Sequence, residues 1–285
     1  MQTRNQSNWK GKEDRAIKAK AFIEKINNEY KESIENSIKK TGIYDIRAGR
    51  PCQWYDSLER PLMKTPAILK QTTTNGALYE LDNPGRTIIL NFASYKKPGG
   101  RFLAGAMAQE EALCHTSTLY PVLSAKKNDI YYDWNNQHLN KGLYLDRALY
   151  SEDILFFDEK GKEYKANVIT CAAPNNSIAL DYVARFTPEE NKKALLDRIN
   201  FVRDICLNEK ADTVILGAWG CGVFAQDPAV VAEGFREAFE TTGITCIYAV
   251  PDDKNYNAFK DAFQKYDKAK TSINKDYDKE DMERE

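Results

Sequence analysis

The chain has 285 residues, a length that suits one large α/β domain with extensions or two small domains. Its 41 Lys and Arg stand against 42 Asp and Glu, so no global field draws it to DNA, RNA or anionic lipid. No apolar run approaches the ~20 residues that a membrane span needs, and the polar stretch Met1 to Lys20 lacks the apolar core of a secretory signal. Six cysteines (Cys52, Cys114, Cys171, Cys206, Cys221 and Cys246) form no C-x-x-C pair, and only His115 and His138 accompany them. That inventory argues against zinc and for free thiols in a reducing cytoplasm.

Ile17, Ala21, Phe22, Ile26, Tyr30, Ile34 and Ile38 recur at helical steps between charges, which predicts a helix over 12–40 ended by Thr41-Gly42. Residues 43–66 read as irregular. Strands are expected at 67–72 and, more clearly, at 87–92, where a proline-glycine turn follows. Residues 106–123 read as a helix stopped or kinked near Pro121, and 126–150 as long aromatic loops.

Strands then follow at 154–157 and 167–173, and an amphipathic helix at 188–207 with Pro188 in its tolerant first turn. A strand at 212–216 runs into a second glycine turn, Gly217-Ala-Trp-Gly220-Cys-Gly222. A helix at 228–242, a strand at 244–250 and a helix at 255–266 close the pattern. The almost wholly charged tail, 267–285, is expected to be disordered. This divides the chain into a helical extension packed on the core (1–66), an α/β core (67–266) and the tail. Short apolar strands alternating with helices point to a mixed sheet covered on both faces. Ligands of such sheets bind at the carboxyl ends of strands, and both glycine turns follow strands.

The first turn leads to Gln109-Glu110-Glu111. Acidic residues are common in a helix first turn, so a solvated helix start is the plain reading. The preceding Pro98-Gly99-Gly100 and Gly105 favour a site instead, because glycine lets backbone approach a ligand. A helix N-terminus lowers a carboxylate pKa whereas burial and a neighbouring charge raise it, and the sequence leaves that balance open. In the second turn, Gly220 to Phe224 lacks the residues of a Walker A loop and the spacing of a dinucleotide fingerprint. Its backbone N–H groups suit a pyrophosphate held without basic residues, or simply make a tight connection. Cys221 has no histidine near it in sequence to activate it as a nucleophile.

Taken together, Asn91-Phe-Ala with Pro98-Gly99-Gly100, Gln109-Glu110-Glu111, Leu113-Cys114, Ser117 to Pro121, Ala173-Pro174-Asn175 and Leu216 to Phe224 with Asp227-Pro228 resemble the signature of the microbial-type poly(ADP-ribose) glycohydrolases of the macrodomain superfamily. The resemblance spans residues 10–265. It implies a three-layer α/β/α fold, hydrolysis of the ribose–ribose O-glycosidic bond at polymer ends, and neither cofactor nor metal. By position, Glu111 is the implied catalytic acid, with Glu110 and Gln109 holding the terminal ribose and Asn91 also binding substrate. Gly99 and Gly100 flank the scissile bond, Gly220, Cys221, Gly222 and Val223 wrap the pyrophosphate, and Phe224 packs on the ribose. The implied partner is poly(ADP-ribose) or an ADP-ribosylated protein, met by a monomer, and the other reading is an ADP-ribose reader without turnover. One position departs: where the family has a third glycine this chain has Arg101, whose cation either crowds the terminal ribose or binds a phosphate.

Overall fold

The computed structural model describes residues 2–46, 65–82, 85–180 and 186–282; Cys52 and most of the stretch read as irregular lie outside them. Two helices, α1 (Gln2–Glu29) and α2 (Lys31–Lys40), open the chain and lead into strand β1 (Gly42–Asp45). The predicted single helix is thus broken at Tyr30, whose ring packs 4.9 Å from that of Phe157 and whose hydroxyl donates to Glu163 at 2.8 Å. The start of the irregular stretch is corrected too, since Gly42–Asp45 joins the sheet.

After these come β2 (Ala67–Lys70), α3 (Thr74–Tyr79), β3 (Thr87–Phe92), α4 (Gln109–His115), α5 (Leu119–Leu123), α6 (Asp129–Gln137), β4 (Arg147–Phe157) and β5 (Glu163–Cys171). The chain continues through α7 (Pro188–Asn208), β6 (Thr213–Leu216), α8 (Pro228–Phe239), β7 (Thr245–Ala249) and α9 (Asp253–Met282). Two caps explain sharp helix starts. Thr187 and Glu190 form a capping box ahead of Pro188, and Asp227 accepts the Ala229 N–H ahead of Pro228. The last helix passes Tyr266 and runs to Met282, into the tail expected to be disordered. Along the way the Arg236 guanidinium meets Asp267 at 3.1 Å and Lys270 meets Glu240 at 2.9 Å.

The seven strands form one sheet in the order β1-β4-β5-β3-β6-β7-β2. From β5 through β3, β6 and β7 to β2 all neighbours are parallel, while β4 pairs antiparallel with both β5 and β1. The period of two sorts the side chains. Ile88, Leu90, Val214, Leu216 and Tyr248 face a core closed by α7, α8 and α9. Ile89, Ile215, Ile247 and Val168 face one closed by α2 to α6. Three layers result, as the sequence pattern implied. Among the described residues no helix is long and apolar enough to cross a membrane.

Two expectations between 106 and 150 fail for tertiary reasons. The helix read over 106–123 breaks at Thr116 to Thr118, not at Pro121. That stretch is captured by the far end of β4: Thr118 N–H donates to Leu155 O at 2.9 Å, and Phe157 N–H to Thr116 O at 2.8 Å. The long loops read over 126–150 contain α6, whose buried face is Tyr131, Tyr132 and Asn135. Helix α1 meanwhile supports the loop before α4, with Arg15 Nε donating to Gly105 O at 2.8 Å.

Candidate active site

The five parallel strands end on one edge of the sheet, and β3 and β6, which carry the two glycine turns, are neighbours there. The β3 turn folds back over the start of α4. Gly99 and Gly100 both have positive φ (63° and 58°). A Cβ on Gly100 would stand 2.5 Å from Glu111 Oε1 and 3.0 Å from Glu110 Oε2, so glycine is what lets the turn lie on the carboxylates.

Glu110 is 3 % exposed and accepts hydrogen bonds from Ser94 N–H (2.7 Å) and Asn91 Nδ2 (3.2 Å). Burial pushes its carboxyl up to about 8, with the neighbouring Glu111 adding to the rise and the Ser94, Asn91 and Gly99 donors opposing it. The balance left open by the sequence therefore falls to desolvation at this glutamate. Glu111 is 7 % exposed; its Oε1 accepts the Arg101 N–H at 2.9 Å, and its other oxygen accepts no hydrogen bond among the described residues.

Gln109 is engaged with backbone. Its Oε1 accepts Phe92 N–H at 2.8 Å and its Nε2 donates to Leu90 O at 2.9 Å, which ties α4 to the end of β3. Asn91 Oδ1 is buried without a partner among the described residues.

Glu110 also links to stability. Its proton is held more tightly in the folded chain, where its pKa is about 8, than at the ordinary 4.5, so stability falls as pH rises between the two. The urea midpoint is expected to drop from pH 5 to pH 8 in the wild type. Glu110→Gln, which cannot ionise, should flatten that drop. An equal drop in the variant would remove Glu110 as its source.

In the β6 turn, Trp219 is fully buried and donates through Nε1 to Cys171 O at 3.2 Å, which anchors the loop to β5. Gln226 donates to Pro174 O at 2.8 Å and exchanges hydrogen bonds with Asn191. Gly220 has φ 75°, and a Cβ there would press on Ala173 and Gln226 at 2.9 Å. Cys221 N–H closes the turn onto Ala218 O at 3.2 Å, whereas the N–H groups of Gly220, Gly222, Val223 and Phe224 find no acceptor among the described residues. Free amides in succession make an anion-binding concavity. Burial pushes the Cys221 thiol up to about 12, which leaves it unreactive as a nucleophile.

A cavity of about 370 Å³ opens between the β6 turn and the start of α4, lined by Gln109, Gly220, Gly222, Val223 and Phe224 and, from beyond β7, by Asp252. Asn91, Gly99, Gly100, Glu110, Glu111 and Cys221 do not line it. Glu110 and Glu111 fall on α4 between two lining residues, Gln109 and Ala112. The structure also adds residues that the sequence reading passed over. Tyr144 stacks on Tyr95 (4.1 Å, 11°) and meets Phe224 edge-on at 6.0 Å, so it bridges the two functional loops. It stands at φ 59° in a loop where Asn140 and Lys141 are also left-handed, and Arg198 holds that loop through Leu143 O. Gly142 was the sole sequence hint of this turn. His115 packs against Phe102 at 4.7 Å, and burial lowers its pKa, in keeping with a structural role.

The catalytic domain of microbial-type PARG matches residues 12–159 of the chain. Among solved structures, poly(ADP-ribose) glycohydrolase from Thermomonospora curvata superposes with TM-score 0.78 at 27 % identity, over 88 % of this chain and 99 % of that one. The enzyme from Deinococcus radiodurans in complex with ADP-ribose gives 0.72 at 30 % identity, over 82 % and 98 %. The Thermomonospora curvata enzyme bound to the inhibitor ADP-HPD gives 0.74 at 28 % identity, over 87 % and 98 %. No curated protein matches the chain. With the family's catalytic domain matched over half of this chain and the same fold shared over 82 % to 88 % of it, the chain belongs to the microbial-type poly(ADP-ribose) glycohydrolases.

Proposed function

We propose that the protein hydrolyses the ribose–ribose O-glycosidic bond at the ends of poly(ADP-ribose) and releases ADP-ribose, with Glu111 as the acid. One observation carries this: Glu111 lies under the Gly100 turn with one oxygen held by the Arg101 N–H and the other without a partner among the described residues, while the neighbouring strand β6 ends in a loop whose amides find no acceptor among them. The amides of Gly220, Gly222 and Val223 take the terminal pyrophosphate, and Phe224, backed by Tyr144, packs on the terminal ribose. Asn91 Oδ1 is an acceptor suited to a ribose hydroxyl. Gln109 acts by holding α4 against β3.

Glycosidic cleavage runs through an oxocarbenium-like transition state. Glu111 gives its proton to the leaving ribose oxygen as the C–O bond breaks. The resulting carboxylate then takes a proton from the water that attacks the anomeric carbon. Glu110, protonated near neutral pH, keeps the buried pair from holding two negative charges. The reading extends to a macrodomain in a reducing cytoplasm, supported by the free Cys114, Cys171, Cys206, Cys221 and Cys246.

The test is release of ADP-ribose from labelled poly(ADP-ribose), run alongside ADP-ribose affinity. Turnover with affinity supports the hydrolase. Affinity without release leaves a reader of ADP-ribose, and loss of both overturns either role.

A further inference from the structure

We propose that Arg101, with Lys96 and Lys97 behind it, forms a subsite for the pyrophosphate of the ADP-ribose unit on the leaving side of the scissile bond. This rests on the reading of the protein as a polymer hydrolase and adds a second phosphate grip to it. The backbone argument comes first. Arg101 has φ −113° and ψ 30°, a negative-φ conformation open to any L-residue and outside the left-handed region that favours glycine, so the turn accepts a side chain there. Its N–H donates to Glu111 Oε1, which puts its Cα one bond from a group that touches the acid. Its side chain is exposed and, among the described residues, has neither an ion pair nor a hydrogen bond.

Lys96 and Lys97 are exposed in the same turn, and their side chains are equally without partners among the described residues. The loop that carries the three cations is ordered. Lys96 and Lys97 N–H groups lean on Ser94 Oγ at 3.4 and 3.3 Å, and Asn136 donates to Lys96 O at 3.2 Å. The Arg101 carbonyl accepts from Ala104 and Ala106 at 3.0 and 3.2 Å. The carboxylates of Glu110 and Glu111 meet this loop through its backbone donors, at Ser94 and Arg101 N–H.

The substrate supplies the complementary charge. Each repeat of the polymer carries one pyrophosphate, so a cut between two riboses has one on either side. The neutral amides of Gly220, Gly222 and Val223 serve the terminal one. The other, on the departing chain, needs cations beyond the acid, where Arg101 offers a planar fork suited to phosphate. Of the two fates left open by the sequence, crowding and phosphate binding, the negative-φ backbone and the exposed guanidinium favour the second.

The test uses Glu111→Gln, whose side-chain oxygen still accepts the Arg101 N–H, so that substrate survives the measurement. Its affinities for ADP-ribose and for the ribose-to-ribose ADP-ribose dimer are compared with and without Arg101→Gln. The dimer is expected to bind about tenfold more tightly than ADP-ribose. Arg101→Gln removes most of that advantage and leaves ADP-ribose affinity within about twofold. The advantage also shrinks as salt rises. Lys96→Gln and Lys97→Gln take smaller steps in the same direction. A dimer advantage that is absent, or that survives Arg101→Gln, overturns the subsite. An equal loss for both ligands also overturns it, since Arg101 would then serve the terminal unit. Failure of the hydrolase reading shows separately, as wild-type protein that binds the dimer without cutting it.

Discussion

Glu111→Gln is expected to release ADP-ribose from the polymer about 10²–10⁴-fold more slowly than the wild type, the usual worth of a positioned general acid. The substitution is nearly isosteric and keeps an oxygen for the Arg101 N–H, the hydrogen bond seen at 2.9 Å. What it removes is the transferable proton. ADP-ribose affinity should therefore change by no more than a few-fold, because the pyrophosphate amides lie on the other loop. The loss belongs in kcat and not in KM, as for an interaction made only in the transition state. A variant that keeps more than a tenth of wild-type kcat would move the acid elsewhere, with Glu110 the next group to test. Glu110 is the less suited of the two, since both of its oxygens already accept hydrogen bonds, from Asn91 and Ser94.

The sheet centre was legible because its strands obey a simple rule. Thr87–Phe92 matches its predicted bounds, with Ile88 and Leu90 turned to one core and Ile89 to the other. Glycine turns after β3 and β6 were equally visible, and their adjacency follows from the parallel pairing of those strands. Helix α6 was hidden because its buried face is partly polar. Asn135 is satisfied only in three dimensions, by Tyr95 O at 2.9 Å and the Arg147 guanidinium at 3.1 Å. A hydrophobic period cannot register such a face. The break at Thr116 to Thr118 was hidden for a related reason, since a sheet edge 37 to 41 residues later in the chain imposes it.

Within the site, the residues that hold the chemistry in place were less legible than those that perform it. The Gln109-Glu110-Glu111 run is plain in the sequence, but the use of Gln109 as a clamp on β3 backbone depends on the packing of α4. The same holds for Tyr144. It lies far from both glycine turns in sequence, and only the stack on Tyr95 and the edge contact with Phe224 make it a bridge between them. Arg101 shows the opposite case. The departure from glycine was obvious, yet its meaning depended on one dihedral angle.

Gly100→Ala tests whether the turn is shaped for the carboxylates or merely for the chain. Its Cβ would enter at 2.5 Å from Glu111 Oε1, the movable end of a side chain, so the fold can yield by swinging the carboxylate aside. The stability cost is then mainly the left-handed backbone at φ 58°, roughly 1–2 kcal/mol, or a few degrees in Tm. Catalysis suffers more, because a displacement of about an ångström at the acid is worth around 10²-fold in kcat. Gly161→Ala supplies the comparison. It has φ 78° with nothing within 4 Å of its Cβ, so it carries the same backbone strain far from the acid. We expect both variants to lose similar Tm, and Gly100→Ala alone to lose kcat. If the two keep equal activity, the Gly100 turn does not set the position of Glu111. If Gly100→Ala loses ADP-ribose affinity as steeply as kcat, the turn serves binding of the terminal unit instead of the acid.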